Sequence, residues 1–274
     1  MKRGKRKHCS VTTREEQKEL VGQMCLMDDE FMTVCFENQK PAVQLVLRII
    51  LDKPDLVVQD VKVQKYVENT EGRSLRLDIH AVAEGAVYNC EIQGDSSGAS
   101  ARRARYHGSL LDTVNLRKGS RFRELPETYV IFITRRDKYR KGLPMYCFDR
   151  YCREIDTGLE DGLHIIYVNG QYRGDDDMGH LMEDFKCTNA DNLHYTELAE
   201  RVRYFKETIE GEEKMSEIFR RVEKKAREVG REEGADRLGR LMSKLFEQNR
   251  VDDAKKASSD SSYRESLYKE FGIA

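Results

Sequence analysis

Two carboxylates and an amide stand out by their spacing. Asp78 is followed by Glu91 and then Gln93 in a D-x(12)-E-x-Q arrangement. From Arg76 to Gln93 apolar and polar residues alternate on both sides of Glu84 and Gly85, which reads as a β-hairpin. With the turn centred on Glu84-Gly85, Asp78 falls opposite Glu91, Arg76 opposite Gln93 and His80 opposite Asn89. Leu77 then meets Ile92, and Ile79 meets Cys90. One face carries Arg76, Asp78, His80, Asn89, Glu91 and Gln93; the other carries Leu75, Leu77, Ile79, Tyr88, Cys90 and Ile92.

The apolar face has a core to pack against, and the polar face needs a different explanation. Opposed Cβ atoms lie about 4.5–5.5 Å apart, where like charges destabilise a sheet. A divalent cation shared by Asp78 and Glu91 removes that penalty. Magnesium takes one or two carboxylates and fills its remaining positions with water and phosphate oxygens, the open coordination that a catalytic site requires. The alternative is a satisfied surface patch in which Arg76 neutralises Asp78. A bulged turn would also slip the register and turn every side chain over.

The flanking elements must hold this hairpin in place. Residues 11 to 51 read as helical, with Thr12 or Thr13 as a cap and Pro41 in the first turn of a helix over Ala42–Leu51. Leu56 to Val67 is rich in β-branched residues and favours a strand, then Asn69–Gly72 a turn, then strands at Leu75–Val82 and Val87–Gln93. After the small polar loop Gly94–Ser100, Ala101, Ala104, Leu111 and Val114 give a helix ending near Gly119. Thr128–Thr134 and Leu163–Val168 read as buried strands and Met145–Tyr151 as an edge strand. Three strands, a crossover helix and further strands imply a mixed α/β sheet with helices on its faces. From about Tyr195 the chain is helical and highly charged, with Leu198, Val202, Phe205 and Ile209 on one face. Gly230 and Gly234 weaken that pattern, and Ser258–Ser262 breaks it before a short amphipathic helix around Leu267. This last part reads either as an extension docked on the core or as a coiled-coil-like arm.

Of the 274 residues, 35% are charged and four are proline, which excludes collagen-like, proline-rich and wholly disordered classes. The longest apolar run, Ala42–Leu51, is broken by Gln44 and Arg48 and falls short of a membrane span of about 20 residues. The basic Met1–Lys7 stretch lacks the apolar region of a signal peptide and reads as a disordered tail that adds polyanion affinity. Seven cysteines without a C-x-x-C pair support neither zinc nor a disulfide framework, so a reducing cytoplasm is expected. The net charge of −1 hides segregation: residues 101 to 141 hold twelve Lys or Arg against four acids, so that segment is net +8. Such a segment fits either a polyanion partner or a solvated charged face.

The Asp78, Glu91-Ile92-Gln93 pattern, lying between strands and a helix, resembles the PD-(D/E)XK nuclease superfamily. More narrowly, it is similar to the PD-(D/E)XK nuclease-family transposases, which include the recombination-promoting nucleases. Further blocks carry the resemblance across roughly residues 25 to 210: Gly72–Asp78, Tyr88–Gln93, Arg103–Tyr106, Leu125–Thr134, His164–Gly170 and Arg201–Lys206. It implies a restriction-endonuclease-like domain over residues 10–195 followed by a charged helical extension over 196–274. The activity implied is Mg²⁺-dependent cleavage of DNA phosphodiesters in the cytoplasm, by a protein that binds no membrane and can form a homo-oligomer. Asp78, Glu91 and the Ile92 carbonyl would hold the metal, with Asp29 of the first helices as a further ligand and Asp28 and Glu37 behind it.

Gln93 stands where the superfamily name has Lys. An amide orients a water but brings no charge and no base, so Arg76, opposite Gln93 in the derived register, is expected to supply the cation. Arg102, Arg103, Arg105 and Tyr106, opening the helix after the site, are expected to meet DNA phosphates, which supply most sequence-independent affinity. Arg135, Arg136, Lys138, Arg140 and Lys141 form a second basic loop. Gly94, where relatives tend to have a basic residue, weakens contacts at that edge. Among Asp175, Asp176 and Asp177, a helix cap at the start of the next helix is expected rather than a metal site. Of the histidines, only His80 shares a face with Asp78. An inactive DNA-binding relative and a protein-interaction module remain as rival readings.

Overall fold

The computed structural model of the chain describes residues 13–94 and 98–273; the Met1–Lys7 tail, Thr12, Cys9 and the middle of the Gly94–Ser100 loop lie outside the described residues. The chain divides into two compact units, one ending at Met215 and the other beginning at Ser216.

The first unit opens with three helices, α1 (Arg14–Gln23), α2 (Asp29–Phe36) and α3 (Lys40–Leu51). Thr13 caps α1 in a reciprocal box with Glu16, and Pro41 sits in the first turn of α3. Strands β1 (Val58–Val67), β2 (Leu75–Ala83) and β3 (Ala86–Gln93) follow, then α4 (Ala101–Asn115), β4 (Thr128–Thr134) and β5 (Met145–Phe148). A small ribbon of β6 (Tyr151–Cys152) and β7 (Thr157–Gly158) precedes β8 (Leu163–Asn169), α5 (Asp177–Asp184) and α6 (Thr196–Glu207).

Six strands form one mixed sheet in the order β1-β2-β3-β4-β8-β5. The β1–β2, β2–β3 and β8–β5 pairs are antiparallel, and β3, β4 and β8 run parallel. The α4 crossover joins β3 to its parallel neighbour β4, as a parallel pair requires. Every residue of β4 is buried, as expected of a strand covered on both faces. One core gathers Ala104, Leu110 and Leu111 of α4 with Val87, Val130 and Phe132 of the sheet. Elsewhere, Phe31 of α2 meets Phe205 of α6 edge-on at 6.3 Å, and Arg201 of α6 donates to the carbonyls of Val34 and Cys35.

The β2–β3 connection is a two-residue turn. Glu84 (φ 51°) and Gly85 (φ 78°) are both left-handed, the type I′ geometry that matches strand twist. Asp176 caps α5 by accepting from the Gly179 N–H at 2.7 Å, so the acidic triplet contributes a cap as its sequence context implied.

The second unit is helical and takes all but the first two turns of its first helix. The helix α7 (Ile209–Glu247) runs without a break through Gly230 and Gly234, and α8 (Val251–Ser259) and α9 (Ser261–Glu270) follow it. Leu241 and Leu245 pack with Ala254, Ala257, Leu267 and Tyr268 into a small core. Asp260 ends α8 and caps α9, placing the break within the serine-rich stretch. Among the described residues no helix is long and apolar enough to cross a membrane.

Candidate active site

The hairpin pairs in the register read from the sequence from Ala83–Ala86 up to Ile79–Cys90, and there the ladder stops. Beyond it β2 stays with β1, through Leu77–Lys65 to Leu75–Val67, while β3 stays with β4, through Glu91–Phe132 to Gln93–Thr134. The sheet therefore forks at Asp78 and Glu91. Side chains complete the bonding that the ladder gives up: the Asp78 N–H donates to Glu91 Oε1 at 3.3 Å, and the Ile92 N–H donates to Asp78 Oδ2 at 2.9 Å.

Beside the fork, β1 departs from extended backbone at one residue. Gln64, between the Val63–Ile79 and Lys65–Leu77 pairs, has a left-handed φ of 52°. Strict alternation of side chains holds only for extended backbone, and such an irregularity re-aims side chains. Leu75 and Leu77 accordingly join the core that contains Ala104 and Leu111 of α4, the helix that also contacts Glu91. The two-face sorting of the hairpin thus fails past Asp78. Gln64 gains a role from its position: its Nε2 donates to Asp29 Oδ1 and Thr33 Oγ1, both at 3.2 Å, and its amide lies near enough to Asp78 to favour the ionised carboxylate. The first-helix acid Asp29 is thereby linked to Asp78 through one amide.

Glu91 is wholly buried and Arg103, about a third exposed, reaches it from α4: Nη2 lies 2.8 Å from Glu91 Oε2. Arg103 Nη1 donates to Gln93 Oε1 at 3.4 Å and to the Gly98 carbonyl at 3.2 Å, and its Nε donates to His107 Nε2 at 3.2 Å. The other ring nitrogen, Nδ1, lies 2.9 Å from Asn89 Nδ2 and 3.7 Å from Glu91 Oε1.

The electrostatics follow from burial. Desolvation drives the Glu91 carboxyl well above the ordinary carboxylate range, with Asp78 repulsion adding to it and Arg103 opposing it. Desolvation also raises Asp78; the Ile92 N–H opposes the shift and the charge of Asp29 reinforces it. Burial, aided by Arg103, lowers His107 to about 4, so it is neutral near pH 7. His80 is lowered to about 4 by burial and by Lys65, whose Nζ lies 3.1 Å from its Nε2.

The residues expected at the site divide into two groups. Asp78, Glu91, Gln93, Ile92 and Arg103 converge, with Asp29 attached through Gln64. Arg76 does not join them: it is exposed, pairs with Tyr66 on β1, and is not matched with Gln93 in the ladder, because the strands separate before reaching it. Arg103 supplies the cation at Gln93 instead. Tyr106 is held by the β1–β2 turn, donating to the Arg73 carbonyl and accepting from Asn69 Nδ2 at 3.0 Å. Arg102 and Arg105 are exposed. In the second basic loop, Arg135 pairs with Asp28 at 2.8 Å. Gln64 and His107 were not anticipated. His107 lies four residues after Arg103, a helical same-face spacing that marks them as partners; nothing in the local sequence marks Gln64.

A buried and a half-buried carboxyl, both raised by desolvation and by neighbouring acids, form a place where added positive charge is stabilising. Their hard oxygens suit Mg²⁺, which needs few protein ligands. Asp78, Glu91 and Asp29 fit that donor set by chemistry. Among the described residues, however, no group of three or more His, Cys, Asp and Glu is already arranged around a common centre, and Arg103 provides the charge at Glu91. No family model, curated protein or solved structure matches the chain.

Proposed function

We propose that the protein is a Mg²⁺-dependent DNA endonuclease of the PD-(D/E)XK kind, akin to the transposase-like, recombination-promoting nucleases. It would act in the cytoplasm, on DNA, as a monomer or homo-oligomer. The observation that carries this reading is the interlocked Asp78–Glu91 pair at the sheet fork. When bound, Mg²⁺ supplies Lewis acidity to a water and to a phosphate oxygen. Asp78 and Glu91 would hold the ion, with Asp29, which accepts from Gln64, as a third oxygen source. The Gln93 carbonyl oxygen faces Arg103, which leaves its amide N–H groups to orient the attacking water. Arg103, whose guanidinium is about a third exposed beside Glu91, would offer its charge to the phosphate, where negative charge develops.

A second reading is favoured by the Arg103–Glu91 pair: a relative that binds DNA with the cation site closed by arginine, and does not cut. Supercoiled plasmid incubated with Mg²⁺ or with EDTA, alongside Asp78→Ala and Glu91→Ala, separates the readings. Metal-dependent nicking lost in both variants supports the nuclease. Retention on DNA without nicking supports the closed form, and neither outcome leaves a protein-interaction module.

A further inference from the structure

The connection from α4 to β4 carries a feature that the cutting site does not use. Phe122 is 84% exposed, the most exposed of the large hydrophobic side chains among the described residues. Arg117, Lys118, Arg121 and Arg123 surround it in sequence, and all four are exposed. None of them forms an ion pair or side-chain hydrogen bond among the described residues, although the chain is rich in acids. The segment is nonetheless built. The Ser120 N–H donates to the Arg117 carbonyl across a turn with Gly119 left-handed at φ 91°. A single 3-10 turn, Phe122–Glu124, follows. Phe122 is thus held in the solvent by ordered backbone on both sides.

A continuous path joins this loop to the candidate active site. Arg102 and Arg105 are exposed on one side of α4, and Ser109 and Thr113 follow at helical spacing with their hydroxyls turned back onto the carbonyls of Arg105 and Ser109. From Arg103 to the loop, α4 spans on the order of 20 Å at 1.5 Å per residue.

We propose that the Arg117–Arg123 loop is a binding site for single-stranded nucleic acid, in which Phe122 stacks on an unpaired base and the flanking cations hold its phosphates. The chemistry discriminates between forms of the ligand. Cations alone serve duplex and single strand alike. An aromatic ring standing free in water finds a base face only where the base is unstacked, and such stacking is sequence-tolerant. The inference deepens the nuclease reading and rests on it: the substrate class becomes DNA with an unpaired segment.

The test is fluorescence anisotropy of the full chain in EDTA, so that cleavage plays no part, with labelled oligo(dT) and a blunt duplex of equal length. Phe122→Ala is expected to weaken oligo(dT) binding about 10-fold and to leave duplex binding within about two-fold. Arg121→Gln with Arg123→Gln is expected to lower the salt slope on oligo(dT) by about 1.4, about 0.7 for each phosphate that is no longer neutralised. Equal affinity of Phe122→Ala and wild type for oligo(dT), an equal weakening on both probes, or no oligo(dT) binding by wild type overturns the proposal. Because no cut is read, the two readings fail separately. Mg²⁺-dependent nicking without a Phe122 effect removes only the loop site, and a Phe122 effect without nicking removes only the nuclease.

Discussion

The main-chain N–H of Asp78 donates to the carboxylate of Glu91, 3.3 Å away, at the point where β2 and β3 part. The two acids are therefore tied into the backbone of each other's strand, and their mutual distance is set by the sheet rather than by flexible side chains.

That arrangement is expected to make stability fall with rising pH when no metal is present. Both carboxyls are raised above their unfolded values of roughly 4, so the folded state holds more protons than the unfolded state across that interval. The slope of stability against pH is then negative from the unfolded carboxylate range up to the raised folded values. Thermal denaturation in EDTA across pH 4 to 9 checks this, and Asp78→Asn should flatten the decline. A wild-type midpoint that climbs over that interval, with Asp78→Asn following it, contradicts the assignment.

Magnesium should reverse the loss. An ion that binds only the folded protein at about a hundred times its Kd adds about 2.7 kcal/mol. The melting temperature of wild type should rise with Mg²⁺ near neutral pH, and that of Glu91→Gln should not.

Arg103 and Arg76 are expected to differ sharply. Arg103→Gln leaves Glu91 buried without its partner, a loss of about 1–3 kcal/mol once the partial exposure of the guanidinium is discounted. Added Mg²⁺ should restore more stability to this variant than to wild type, because the ion takes over the missing charge. Arg76→Ala, at an exposed position, should change cleavage by less than about two-fold in rate and stability by less than about 0.5 kcal/mol. A larger effect of Arg76 than of Arg103 would restore the pairing that the sequence implied.

Cleavage should show no histidine step near pH 6.5, because His80 and His107 are both lowered to about 4 by burial. The rate should instead rise with pH as the raised carboxyls lose protons and accept metal. A pH–rate profile of plasmid nicking at saturating Mg²⁺ and at low Mg²⁺ separates the two, since only carboxyl deprotonation shifts its apparent midpoint with metal concentration.

Most of the fold was legible in the sequence, because alternating and helical periods report which face is buried. The turn at Glu84-Gly85 fixed the hairpin register correctly as far as Ile79 and Cys90. The fork was not legible: a left-handed Gln64 beside it has no mark like that of glycine, and the β2–β3 ladder ends before Arg76 can meet Gln93. The pairing of Arg103 with Glu91 was not legible either, since its sequence context places it only on an arginine-rich helix opening. Only the depth of Glu91 beneath α4 shows that an arginine at that position must turn inward. The continuity of α7 through Gly230 and Gly234 reflects a cost of about 1 kcal/mol per glycine that the rest of a 39-residue helix outweighs.

Calorimetric titration of Mg²⁺ into the wild-type protein, Asp78→Ala and Glu91→Ala tests the shared metal site most directly. One saturable site in wild type, lost in each variant while both remain folded, is the predicted result. Wild type that takes up no Mg²⁺, or variants that bind it as wild type does, would contradict the claim that these two acids hold one ion.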